Sequence, residues 1–291
     1  MRFGPPTPVE SGIMLLGCGS SGSSITYTPP LDAVSSSVLA AFGFTRLFSG
    51  VTDGARVRRS SDSSEQEVET FATGEFDSAG FTSFVGGGSG YARYWRDQKG
   101  TLDVGYSTAS KQAQVVLSGI NSKPVLQFDG TDDLLTNTSV PNSIGTGDFE
   151  FWCVLNPSSL TGYRCLGSLE PVKPVFYASA AGNAKFTFFD GVSFRAFNTT
   201  VTTSTSYLVR FFRVSGTMYC AVNGTTEATS WAYTASIAAS SAGMALSSES
   251  VASQGSYFSG QIACALWFGA GLDNGAAATL TTHLKTYYGI A

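Results

Sequence analysis

The chain has 291 residues, of which 43% are hydrophobic and only 13% charged, about half the ~25% of an average globular protein. Its 13% of aromatic residues, 21 of them Phe, supply a large core and exclude a disordered body. The net charge of −4 comes with no basic stripe to track a phosphate backbone, and no apolar run approaches the ~20 residues of a membrane span, so nucleic acid and membrane are excluded as partners.

Residues 1–30 stand apart. Pro5, Pro6 and Pro8 forbid a helix, Gly17 to Ser24 is almost all Gly and Ser, and Pro29-Pro30 closes the segment. The composition predicts an extended arm carrying one apolar plug, Ile13, Met14, Leu15 and Leu16. Such a plug is expected to order on a partner. The run is too short for a signal-peptide core, so synthesis without export is expected.

From residue 31 a weak helical signal covers Ala33 to Leu39. The charge then concentrates. Arg56, Arg58 and Arg59 are followed by Asp62, Glu65, Glu67 and Glu69. In so charge-poor a chain this predicts an ion-paired face, with Arg58, Arg59, Asp62 and Asp97 forming a structural polar network. Asp77 is placed to cap a short helix, and Gly86 to Gly90 forces a loop. Tyr91, Tyr94 and Trp95 flank that loop and are the candidates for stacking on sugar rings. The run from Ala40 to Gly100, through Arg-Val-Arg-Arg-Ser-Ser-Asp at 56–62 and Tyr-Trp-Arg-Asp-Gln at 94–98, resembles the N-terminal part of the fungal-type α-L-arabinofuranosidase B catalytic domain. It is similar also to a module of bacteriophage virion proteins.

After Ser122 the pattern is regular. Strands are predicted over Pro124 to Asp129, Phe149 to Leu155, Lys185 to Phe189, Val192 to Phe197, Tyr207 to Val214, Thr217 to Val222 and Phe258 to Phe268. Asp190-Gly191 and Asn223-Gly224 are hairpin turns. Asp129, Asp132 and Asp133 cluster after a strand and are the candidate calcium ligands, beside the plainer reading of an Asp-rich turn. A last helix is expected over Gly275 to Tyr288, capped by Asn274 and ended by Gly289. The five cysteines lack CxxC spacing, which argues against zinc; a Cys153–Cys165 bridge stays open. His283 is the sole histidine, placed by default on the surface, and a Ser-His-Asp triad has little support.

The order of Leu-Gln-Phe-Asp-Gly-Thr-Asp-Asp at 126–133, Val-Asn-Gly at 222–224, Phe-Ser-Gly-Gln-Ile at 258–262 and Leu-Lys-Thr-Tyr-Tyr-Gly-Ile at 284–290 resembles laminin-G-like, or concanavalin A-like, lectin and glucanase domains. The expected fold is therefore all-β: a concanavalin A-like sandwich, or jelly roll, over 31–291 with an extended N-terminal arm and a short C-terminal helix. Within it, 31–120 is the arabinofuranosidase B-like portion and 121–291 the laminin-G-like one. Together the resemblances imply a bacteriophage virion structural protein, a head decoration or tail component. It would be a homo-oligomer attached to other virion proteins through residues 1–30, displaying a sandwich that binds cell-surface glycan. The alternative is an α-L-arabinofuranosidase-like glycoside hydrolase. No catalytic carboxylate is assigned: where the arabinofuranosidase run reads Trp-Tyr-Asp-Gln-Ser-Gly, this chain has Trp95-Arg96-Asp97-Gln98-Lys99-Gly100. No cofactor beyond the calcium is expected.

Overall fold

The computed structural model describes residues 27–100, 102–139, 144–169, 174–237, 243–251 and 254–291. The plug Ile13, Met14, Leu15 and Leu16 lies outside the described residues, with most of the expected arm. In chain order the strands are β1 (Val38–Gly43), β2 (Asp53–Arg59), β3 (Glu65–Glu69), β4 (Gly90–Trp95), β5 (Val104–Gly105), β6 (Gln114–Val116), β7 (Val125–Asp129) and β8 (Leu135–Asn137). There follow β9 (Phe149–Pro157), β10 (Arg164–Leu169), β11 (Val175–Ser179), β12 (Lys185–Phe189), β13 (Phe194–Thr200), β14 (Tyr207–Val214) and β15 (Thr217–Val222). The last are β16 (Thr225–Thr226), β17 (Trp231–Ala232), β18 (Met244–Leu246) and β19 (Ser259–Phe268); the helices are α1 (Ser78–Val85) and α2 (Asn274–Tyr288).

The strands make an antiparallel β-sandwich whose two sheets diverge from β4. At Tyr91, β4 pairs with β6, and from there one sheet runs β6, β7, β19, β9, β14, β15. At Tyr94 and Trp95 the same edge of β4 pairs with β5, and the other sheet runs β5, β8, β18, β10, β11, β12, β13. The opposite edge of β4 carries β2 and then β3. β1 joins β19 beside β7, so an early strand and the last one share a sheet.

Between the sheets lies the main core. Phe149, Phe151, Cys153 and Leu155 of β9 point into it, as do Tyr207, Val209 and Phe211 of β14. Phe151 stacks on Trp267 at 4.2 Å and on Phe176 at 5.2 Å. Gly167 on β10 keeps that stack accessible, since a Cβ there would lie 3.1 Å from Phe151 and 3.3 Å from Trp267. Arg213, fully buried, closes one end of the core by donating to the carbonyls of Gly145, Gly147 and Ala235.

The alternate residues of β9, Trp152 and Val154, face the other way, where α2 covers them with Ala277, Leu280, Leu284 and Tyr288. This is why β9 reads as a nearly continuous apolar run: both faces are covered. β19 also serves both faces, with a change of phase where it bulges. Its register against β9 slips between Ile262 and Cys264, so Ile262, Ala265 and Trp267 enter the main core while Ala263, Cys264, Leu266 and Phe268 lie under α2.

Local signals mostly agree with the sequence. Asp77 caps α1, accepting from the Gly80 amide at 2.8 Å, and Gly289 ends α2 in the left-handed region. Asn223 and Gly224 both have positive φ, as a two-residue hairpin turn demands. The α2 cap is Asp273 rather than Asn274. The helix expected over Ala33 to Leu39 is instead a single 3₁₀ turn, Asp32–Val34, running into β1; three successive serines at 35–37 give a helix little support, and the β19 edge offers a ladder. Cys153 and Cys165 are both free, buried in different apolar clusters, so no bridge joins them.

On the α2-covered face sits one buried ion pair. Glu150 is fully buried and accepts from Trp152 Nε1 at 2.6 Å, from Arg210 Nε at 2.9 Å and from the Leu272 amide at 2.7 Å. Removing one partner of such a pair strands the other, at a cost of about 3–5 kcal/mol. Glu150→Ala is therefore expected to lower the unfolding free energy by that amount in a denaturant titration, and an unchanged midpoint would show that solvent already screens Arg210.

Candidate functional site

Two rows of side chains cross the α2-bearing face of the first sheet. One, Val116, Val125, Val154 and Leu208, is apolar and covered. The next row, two residues further along each strand, is polar. It begins on β2, where Ala55 and Val57 face the core and Arg58 faces out. Arg58 stands opposite Tyr91, Tyr91 opposite Gln114, and Gln114 opposite Gln127.

At the start of this row is a cleft of about 520 Å³, lined by Arg58, Tyr91, Gln112, Gln114, Gln127 and the carboxyl-bearing Asp129 and Asp133. Its size is that of a small-molecule site. Arg58 lies 5.0 Å above the Tyr91 ring and donates to Gln112 Oε1 at 2.6 Å. Gln112 is buried and donates in turn to the Tyr106 carbonyl at 2.8 Å, which fixes the loop between β5 and β6 as one wall. The wall is locked again from behind, where Lys111 reaches Gln254 and Gln254 reaches the Tyr106 hydroxyl.

On the opposite wall, one ligand oxygen each from Asp129, Asp132 and Asp133 lie within 4.8 Å of one another. Asp129 Oδ1 accepts from the amides of Thr131, Asp132 and Asp133, and Asp133 Oδ2 from the Asp129 amide. Calcium takes 6–8 oxygens; here two of the few carboxylate oxygens already hold the turn. Burial, with the charges of Asp129 and Asp132 beside it, pushes the Asp133 carboxyl up to about 6.

The other residues singled out in the sequence are dispersed. Trp95 is fully buried, stacked on Phe44 at 5.4 Å, and so offers no face to a sugar. It turns inward because β4 bulges at Arg93: Arg56 pairs with Tyr94 and Val57 with Ala92, which sends Arg93 and Tyr94 outward and returns Trp95 to the core. Tyr94 lies under two guanidiniums, Arg93 at 4.4 Å and Arg96 at 5.4 Å. Of the three aromatics, Tyr91 alone lines this cleft.

The expected single network of Arg58, Arg59, Asp62 and Asp97 is three separate arrangements. Arg58 belongs to the cleft. Arg59 and Asp62 pair at 2.6 Å at the tip of the β2–β3 hairpin, and Arg59 holds the Asp62 carboxyl below its ordinary range. Asp97 lies past the other end of β4, buried, and accepts from the amides of Ala41 at 2.8 Å, Lys99 at 2.9 Å and Leu102 at 3.1 Å. The ion-paired face itself is present: Glu65 sits between Arg56 and Arg93, and Glu67 between Arg56 and Arg96. His283 is half-buried against Tyr27 and Tyr287, and burial pushes its pKa down. Gln112, Gln114 and Gln127 give no signal as site residues in the sequence, because isolated amides belong to no chemical motif.

Asp97→Ala leaves buried amides without an acceptor, at about 1–3 kcal/mol each, so a loss of about 3 kcal/mol is expected in chemical denaturation. Asp62→Ala, at an exposed hairpin tip, should melt with the wild type. The reverse ranking of the two variants would restore the single network.

No family profile and no curated protein sequence matches the chain. Solved structures do. A GH54 α-L-arabinofuranosidase soaked with a cyclic sulfate inhibitor superposes with a TM-score of 0.68 at 10% identity, over 88% of this chain and 65% of its own. An arabinofuranosidase complexed with arabinofuranosyl-α-1,2-xylobiose gives 0.67 at 13% identity, over 87% and 65%. Trypanosoma rangeli sialidase with sialic acid gives 0.50 at 11%, over 67% and 31%. The chain thus spans about two thirds of the arabinofuranosidases' length. Identities this low show a shared β-sandwich fold and leave function to the site. These neighbours are glycoside hydrolases, and they lend no support to a virion role or to a separate laminin-G-like lectin portion.

Proposed function

We propose that the chain is a carbohydrate-active β-sandwich that takes a neutral glycan in the cleft between Tyr91 and Asp133. The observation that carries this reading is the composition of the cleft: one half-exposed aromatic ring, three glutamine amides, a guanidinium and two carboxyls, converging on about 520 Å³. Planar amides and carboxyls offer paired donors and acceptors to vicinal hydroxyls, and Tyr91 offers an apolar face. The arabinofuranosidase likeness supports the same class of ligand. The virion reading rests on a sequence resemblance and on an arm almost all of which lies outside the described residues, and it is set behind this one.

Hydrolysis is the second reading, favoured by Asp133. A retaining glycosidase pairs a carboxyl that holds its proton near neutral pH with a second carboxylate about 5–5.5 Å away. Asp133, pushed up to about 6, is the proton holder, and Asp129 beside it is the second carboxylate. Asp133 would give its proton to the leaving oxygen as the glycosidic bond breaks and Asp129 bonds to the anomeric carbon; water, giving a proton back to Asp133, would then displace Asp129 and release the sugar.

Tyr91→Ala is expected to abolish binding of arabinoxylan fragments in calorimetry with an unchanged melting temperature. Retained binding would place the ligand elsewhere. Turnover of 4-nitrophenyl α-L-arabinofuranoside, lost in Asp133→Asn, would establish hydrolysis; no turnover leaves a binding protein.

Asp133 also sets a pH dependence. Its folded pKa of about 6 lies above the roughly 3.9 of an unfolded aspartate, so the native state binds the proton more tightly. Stability should therefore decline as pH rises from about 4 to 6, with the full penalty present above 6. Asp133→Asn should lose that decline in melting curves taken from pH 4 to 8; parallel profiles would mean that the carboxyl titrates as it does in the unfolded chain.

A further inference from the structure

The polar row does not stop at the cleft. Gln127 stands opposite Gln261 on β19, and Gln261 opposite Asn156 on β9. Arg58, Tyr91, Gln114, Gln127, Gln261 and Asn156 thus form one line across six neighbouring strands, each residue half-buried. At about 4.8 Å between strands the line is roughly 24 Å long.

Three features mark this line as a binding track. First, it adjoins the apolar row that α2 covers, so the face switches from covered to open within one pleat. Second, beyond Arg58 the line carries no charge, whereas the neighbouring outer face of β2, β3 and β4 is laced with ion pairs. Third, its amides are lightly engaged. Asn156 bonds Ser206 at 3.1 Å, Gln114 reaches Ser89 at 3.4 Å and Gln127 bonds a neighbouring carbonyl at 3.2 Å. The Gln261 side chain bonds no other described residue. Evenly spaced amides, each a donor and an acceptor, suit a repeating uncharged chain of hydroxyls and ring oxygens.

Resting on the cleft reading above, we propose that the ligand is a linear neutral glycan several residues long. It lies across the strands with one end in the cleft and its length over Gln127, Gln261 and Asn156. An anionic polymer is disfavoured by Asp129 at the cleft and by the lack of cations along the rest of the line. A protein partner is disfavoured by the absence of an apolar centre.

The experiment is calorimetric titration of the full chain with arabinoxylan-derived oligosaccharides of two to eight residues. Affinity is expected to tighten at least ten-fold from the shortest to the longest. Gln261→Ala, and separately Gln261→Glu, should abolish most of that gain while leaving the shortest fragment's affinity and the melting temperature unchanged. Length-independent binding by the wild type, or a full gain in both Gln261 variants, overturns the extended track and leaves the cleft reading standing. Failure of every fragment to bind overturns both.

Discussion

β19 is the strand on which the rest of the molecule depends. It pairs with β9 along almost its full length on one edge, and with β7 and β1 in succession on the other. Through β1 it holds the beginning of the described chain, through β7 the branch that leads to β4, and through β9 the sheet that α2 covers. Every one of these contacts is non-local, and one strand satisfies them all at once. A Val/Ile/Leu/Phe-rich strand buried on both faces is the usual answer. Here the run Ile262 to Phe268 is buried throughout.

Its bulge is what makes that burial compatible with a polar row. Side chains alternate with a period of two, so Ile262 and Trp267, five residues apart, cannot both face the core of a regular strand. The extra residue at Ala263 resets the phase. Gln261 is thereby left on the outer face beside Gln127, while Trp267 reaches Phe151. β4 uses the same device at Arg93, keeping Tyr91 on the outer face and Trp95 in the core. Two one-residue insertions therefore lie on strands that carry the line, β4 at Tyr91 and β19 at Gln261.

This explains what was legible in the sequence and what was not. Elements defined by local chemistry were legible: the alternation of Phe149 to Leu155, the Asn223-Gly224 turn, the Asp77 cap and the Gly289 stop. The concentration of arginine and glutamate over 56–69 read correctly as an ion-paired face. What failed were inferences that needed phase or register. Trp95 looked like a loop aromatic because it flanks the glycine loop at 86–90; only the bulge at Arg93, two residues earlier, turns it inward. Arg58 and Asp97 looked like partners because both are charged and lie in the same arabinofuranosidase-like run. In the ladder they sit at opposite ends of β4, since the Arg96 amide bonds Gly54 at the start of β2 while Arg58 pairs with Tyr91 near its end. The glutamines were illegible for the same reason. Gln127 and Gln261 are 134 positions apart and meet only through the register of β7 on β19.

The low charge of the chain takes its meaning from this arrangement. Most charged groups near the cleft are engaged: Glu65 and Glu67 with Arg56, Arg93 and Arg96, and Arg58 with Gln112 and the Ala109 carbonyl. A surface that pairs its charges internally presents amides and hydroxyls as its remaining chemistry. Those groups discriminate by direction rather than by field, because a neutral hydrogen bond is worth little net until its geometry is met, and costs more when a partner is left unmade. The cleft adds one group of a different kind, Asp133, whose carboxyl is held in a dry wall by the turn that Asp129 organises. Direction-selective amides line one side of the cleft, and a carboxyl whose pKa is pushed up to about 6 lines the other.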